Sequence, residues 1–102
     1  MIVFFDNDYE KNLYEGKSVA GKPKFSQSVI RQFILKVEIL KNAKNSHSLR
    51  AFKSLNFEKL EGHDNLYSIR VNRSFRIEFR MENDNITLLE MVYIEKLSNH
   101  YQ

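Results

Sequence analysis

The sequence predicts an α+β fold: an antiparallel sheet, made of an N-terminal strand and a C-terminal three-stranded meander, with two main helices packed on one face. Three observations predict it. Apolar residues recur at helical spacing from about Ser26 to Lys41. From Phe57 the period falls to two, the spacing of strands whose alternate side chains point to opposite faces. Short polar clusters, Asn72-Arg73-Ser74 and Glu82-Asn83-Asp84-Asn85, separate the alternating runs and supply turns.

Each element follows from its residues. Ile2-Val3-Phe4-Phe5 is a short apolar run and predicts the first strand. Asp6-Asn7-Asp8 predicts a turn or helix cap. Tyr9 to Glu15 predicts a short helix with Tyr9, Leu13 and Tyr14 on one side. Gly16 to Lys24 contains Pro23 and two of the three glycines, and forms a basic loop with Lys17, Lys22 and Lys24. In the main helix, capped by Ser26, the residues Val29, Ile30, Phe33, Ile34, Val37 and Leu40 make one apolar face. Asn42 to Ser46 is a loop, after which Ser46 or Ser48 caps a shorter helix carrying Leu49 and Phe52. Tyr67, Ile69 and Val71 then alternate with Ser68, Arg70 and Asn72. Phe75, Ile77, Phe79 and Met81 alternate with Arg76, Glu78 and Arg80, and Ile86 to Tyr93 is the last strand.

At 102 residues the chain is expected to be one domain, residues 1–102. Its 42% hydrophobic and 13% aromatic content argue for a globular core and against disorder. The net charge of +3 fits a polyanion or an acidic partner. With no cysteine, disulfides and thiolate chemistry are excluded. No apolar run is long enough to span a membrane, and Met1 to Phe5 lacks the basic start and the length of a signal peptide. A cytoplasmic protein without membrane contact is expected.

The alternation has a chemical consequence. If helices cover Ile69, Val71, Phe75, Ile77 and Phe79, then Arg70, Arg76 and Arg80 share the open face, with Ser68 and Glu78 among them. Arginine presents a planar fork that grips phosphate. The competing reading is cross-strand pairing of Arg76 and Arg80 with Glu78, Glu82 or Glu90. Arg73 falls in a turn. Near the end stand His100, whose ring exchanges protons near neutrality, and Tyr101, which can stack on a base. The three histidines show no metal-ligand spacing, and no phosphate-binding glycine loop or nucleophile elbow is present. Acid–base chemistry on a substrate that carries its own nucleophile is the most natural enzymatic option, and no metal or small-molecule cofactor is expected.

From Phe52-Lys53-Ser54-Leu55-Asn56-Phe57-Glu58-Lys59-Leu60-Glu61-Gly62, through Tyr67-Ser68-Ile69-Arg70-Val71 and Phe75-Arg76-Ile77, to Asn99-His100-Tyr101, the chain resembles the RelE/ParE superfamily of bacterial type II toxins. Within it the resemblance is to the HigB-like branch of plasmid-maintenance, or host-killing, toxins. Gly21-Lys22-Pro23-Lys24-Phe25-Ser26 and the helix after it extend the likeness over nearly the whole chain. The resemblance implies a RelE-like fold and a ribosome-dependent mRNA endoribonuclease (an mRNA interferase) that uses the RNA 2′-hydroxyl as nucleophile. Arg76 then corresponds to the arginine on the scissile phosphate and Arg70 to a second one. His100 and Tyr101 match a His-Tyr ending used for acid–base work or stacking. Glu58 falls where some members carry a glutamate base, and Lys59 near where others carry a lysine. Arg80 and Arg73 are further candidates for RNA contact. Two departures stand out: Glu61-Gly62 replaces a lysine-glycine pair, and a longer Tyr93–Ser98 stretch predicts that His100 approaches from a loop.

Three functions follow from the resemblance. The first is an mRNA-cleaving toxin whose partners are mRNA, the ribosome with its 16S rRNA, and a cognate antitoxin. The second is a ParE-like toxin that binds a protein target such as DNA gyrase. The third is a non-toxic domain that only binds its antitoxin.

Overall fold

In the computed structural model, which describes residues 1–17 and 24–99, the chain forms the expected α+β fold. Strand β1 (Ile2–Phe5) leads into helix α1 (Asp8–Glu15). Helix α2 (Gln27–Asn42), helix α3 (Ser46–Arg50) and a 3-10 turn (Lys53–Leu55) follow. Strands β2 (Glu58–Lys59), β3 (Leu66–Arg70), β4 (Phe75–Asn83) and β5 (Glu90–Asn99) complete the chain. The sheet order is β1-β5-β4-β3-β2. The C-terminal pairings are antiparallel, but β1 joins parallel to β5, with Val3 opposite Val92 and Phe5 opposite Ile94.

Caps set the helix ends. The side chain of Asn7 accepts from the Glu10 N–H and starts α1. Gly16, at φ 74°, ends it: the Gly16 and Lys17 N–H groups return to Leu13 and Asn12. Ser26 caps α2, as its position predicts. For α3 the cap is Asn45 rather than Ser46 or Ser48, the alternatives expected, and its Oδ1 accepts from the Ser48 N–H at 2.9 Å. Tyr14 joins α1 to α2 by donating to Glu38 and accepting from Lys41, a bond that raises the Lys41 pKa above its usual value.

The core lies between α2 and the sheet. Val29, Phe33, Val37 and Leu40 meet Ile69, Ile77, Phe79, Val92, Ile94 and Leu97, while Ile30 and Ile34 flank them half-buried. Phe79 is fully buried and shares stacked contacts with Phe57 and Tyr67. The helix-facing and open faces of β3 and β4 are therefore those the alternation predicts.

The last strand differs from expectation at both ends. Ile86 to Leu89 do not join the sheet. Asp84 accepts from the Ile86 N–H at 3.1 Å and the Thr87 hydroxyl at 2.6 Å, and Leu88 takes φ 61°. These local bonds close a loop in place of strand pairing, and the Thr87 bond foremost holds the Asp84 carboxyl below its usual range. At the other end β5 runs past Tyr93, where the last strand was expected to stop, and continues through Asn99, while His100, expected to approach from a loop, lies outside the described residues. A bulge hides this continuation in the sequence. Glu78 pairs with Lys96 but Phe79 with Ile94, leaving Glu95 as the extra residue. The buried positions therefore run Val92, Ile94, Leu97 and lose their period of two.

Candidate active site and family

The open face carries a shallow cleft at the β2–β3–β4 edge. Its walls include Glu58, Arg70 and Arg76, with Ser68, Asn72 and Phe75 between them and Asn56 at the rim. Strand register builds it. Glu58 stands opposite Ser68, and Ser68 opposite Glu78. Arg70 stands directly opposite Arg76. Two guanidiniums on neighbouring strands repel one another, by about 0.2–1 kcal/mol for a directly opposed pair, and a bound anion relieves that repulsion. Arg70 is exposed and forms no ion pair among the described residues. Arg76 is half-buried and its Nε donates to Glu78 Oε2 at 3.0 Å.

Two asparagines shape the rim. Asn56, in the left-handed region at φ 46°, follows the 3-10 turn and re-aims the backbone. Phe57 can then stack in the core while Glu58 faces the cleft. Asparagine tolerates this conformation better than most residues. Asn72 Oδ1 accepts from the Ser74 and Phe75 N–H groups at 2.8 and 2.9 Å, which tightens the β3–β4 turn below the arginine pair.

The structure brings Glu58, Arg70 and Arg76 together and separates three other candidates. Lys59 pairs in register with Tyr67, whose ring stacks on Phe57, so it belongs to the face opposite Glu58. Arg73 is exposed in the β3–β4 turn. Arg80 lies further along the open face, at 3.3 Å from Asp6, 3.5 Å from Glu82 and 3.4 Å from Glu95, with its guanidinium over the Tyr93 ring. The anticipated pairings of Arg76 with Glu78 and Arg80 with Glu82 both occur, but Glu90 instead accepts from the Ser46 N–H at 2.6 Å. His100 and Tyr101 lie outside the described residues. The strand leading to them runs beside the cleft, since Ser98 pairs with Arg76 and Asn99 with Phe75.

Sequence reasoning missed Asn56, Asn72 and Ser98 as parts of the site. An Asn one residue before the change of period is a usable signal for Asn56. Ser98 was hidden by the bulge. Among the described residues no group of three or more His, Asp or Glu side chains is placed to hold a metal ion, and no helix is long and apolar enough to cross a membrane.

A search of curated proteins finds no match. A family model described as the RelE-like toxin of the type II toxin–antitoxin system HigB matches residues 3–95, a span that contains the cleft residues and all of the sheet except Ile2 and the last four residues of β5. With a match over nearly its whole length and the sheet that its residues predict, the chain belongs to the HigB-like toxins of type II toxin–antitoxin systems.

Proposed function

We propose that this toxin is a metal-independent, ribosome-dependent mRNA endoribonuclease that acts in the cytoplasm at the Arg70–Arg76 cleft. The observation that carries the reading is the in-register pair of arginines, with a carboxylate, Glu58, across the same cleft. A cation pair on one side and a proton acceptor on the other suit a phosphodiester that supplies its own nucleophile.

Arg76 and Arg70 hold the scissile phosphate and stabilise the charge that builds on its non-bridging oxygens. A base takes the proton of the 2′-hydroxyl, and the 2′-oxygen attacks the adjacent phosphorus. The bond to the 5′-oxygen breaks, and an acid protonates that oxygen as it leaves. The products are a 2′,3′-cyclic phosphate and a 5′-hydroxyl. His100 is the acid or the base, Glu58 is the alternative base, and Tyr101 orients a nucleobase by stacking. Arg73, Lys59 and the lysines of the Gly16–Lys24 loop meet ribosomal RNA as positive charges rather than as parts of the reaction. Arg80, with three carboxylates around it, holds the sheet face on which the RNA lies. Family membership implies a cognate antitoxin as partner.

The test is induced expression of wild type beside His100→Ala, with mapping of cellular mRNA 5′ ends. New ends at coding positions in wild type, lost in His100→Ala, are expected. Growth arrest without new ends, together with inhibited DNA supercoiling, would point to a toxin with a protein target. No arrest at all would leave an antitoxin-binding domain.

A further inference from the structure

We propose that Glu78 is the positioning residue of this cleft: its carboxylate sets the Arg76 guanidinium and ties it to the C-terminal end of β5. The inference rests on the nuclease reading of the cleft, but it has a readout that does not.

Glu78 lies in the middle of the open face, yet it is only 7% exposed. It stands in register between Ser68 of β3, itself 2% exposed, and Lys96 of β5. Its Oε2 accepts two hydrogen bonds, from Arg76 Nε at 3.0 Å and from Ser98 Oγ at 2.9 Å. Lys96 Nζ lies 3.9 Å from Oε1. A carboxylate withdrawn from water is costly and persists only with such partners.

The location of this charge is what calls for an explanation. A negative group beside a phosphate site weakens binding of the phosphate. A carboxylate at position 78 therefore lowers affinity for RNA, and its compensating gain must come from elsewhere. The geometry points to orientation. An arginine side chain has several free torsions, and Glu78 engages it at Nε, which fixes the plane of the guanidinium while Arg76 lines the cleft. The same oxygen holds Ser98, which pairs with Arg76 across β4–β5 near the end of the described strand. One carboxylate thus registers the phosphate-binding arginine against the strand that leads to position 100. A misplaced group in such a site loses rate rather than binding.

Two measurements test this. In the full chain labelled with nitrogen-15, Arg76→Lys identifies the Arg76 Nε–H resonance by its loss. In wild type that proton should exchange with water about tenfold more slowly than the one on exposed Arg73. In Glu78→Ala the protection should vanish while the backbone amide spectrum keeps its dispersion. On ribosome-bound mRNA, Glu78→Ala should slow single-turnover cleavage about a hundredfold with KM unchanged or lower. Glu78→Gln retains volume and one acceptor, so it should lower KM with a smaller loss of rate, and it carries the test if Glu78→Ala does not fold. A purely structural role would instead reduce the folded fraction and leave KM and rate per folded molecule unchanged. Exchange at Arg76 as fast as at Arg73 in wild type, or wild-type rate and KM in both Glu78 variants, would overturn the proposal. The exchange comparison is made on the free chain and decides the proposal even if wild type cuts no RNA, an outcome that counts against the nuclease reading alone.

Discussion

Arg76→Ala is expected to lower the rate of mRNA cleavage on the ribosome by about 10²–10³-fold, the usual loss when one preorganised donor to a developing oxyanion is removed. Arg76 lines the cleft, is fixed at Nε by Glu78, and faces Arg70 across the strand pair. Its removal takes away the better-held of the two cations and leaves Arg70, which forms no ion pair among the described residues. The substitution should also leave Glu78 with one charge partner fewer, so Arg76→Lys is the informative companion. It restores a positive charge but not the planar fork, and should recover only part of the rate. Single-turnover cleavage of ribosome-bound mRNA checks both, with circular dichroism to show that each variant folds. A rate within a fewfold of wild type for Arg76→Ala would remove the cleft from the mechanism.

Phe79→Ala carries the largest expected effect on stability. The ring is fully buried on the helix-facing side of β4, 6.2 Å from the Phe57 ring and 6.3 Å from the Tyr67 ring. Deleting it removes the fully buried ring of that aromatic cluster and leaves a cavity in the core. The expected cost is about 3–5 kcal/mol. For a domain of this size that is a fall in Tm of tens of degrees, at about 4–8 °C per kcal/mol. The contrast is Ile86→Ala in the β4–β5 loop, where the side chain is 91% exposed and the change should stay within about 0.5 kcal/mol. Urea or thermal unfolding of the two variants beside wild type measures both. Equal losses would mean that the sheet face carrying Phe79 is not the core face.

The two faces of the sheet were legible because Ser68, Arg70, Arg76 and Glu78 fall at alternate positions of long strands. Helix α2 was legible because sixteen residues repeat one apolar face directly after the Ser26 cap. What escaped depends on contacts between distant residues or on broken periods. The parallel pairing of β1 with β5 joins Ile2 to Met91, and nothing in either apolar run encodes the partner's direction. The end of β5 escaped because Glu95 inserts a bulge, and its start because Asp84 closes a loop around apolar residues that look like strand. In the site, Glu58 as a base and Lys59 as an RNA contact were both expected of a two-residue strand, too short to show alternation. Only the register against Ser68 and Tyr67 assigns them to opposite faces. The ion pairs of Arg80 with Asp6 and Glu95 were not legible, because those carboxylates come from a turn and a strand distant in the chain.

The most direct test of cleavage by the RNA's own 2′-hydroxyl uses purified toxin, programmed ribosomes and an mRNA that carries a single 2′-deoxynucleotide 5′ to the mapped cut. The all-ribose message should be cut to a 2′,3′-cyclic phosphate and a 5′-hydroxyl, and the deoxy message should stay intact at that position. Cleavage of the deoxy message, or a 5′-phosphate on the product, would contradict a reaction in which the RNA supplies the nucleophile.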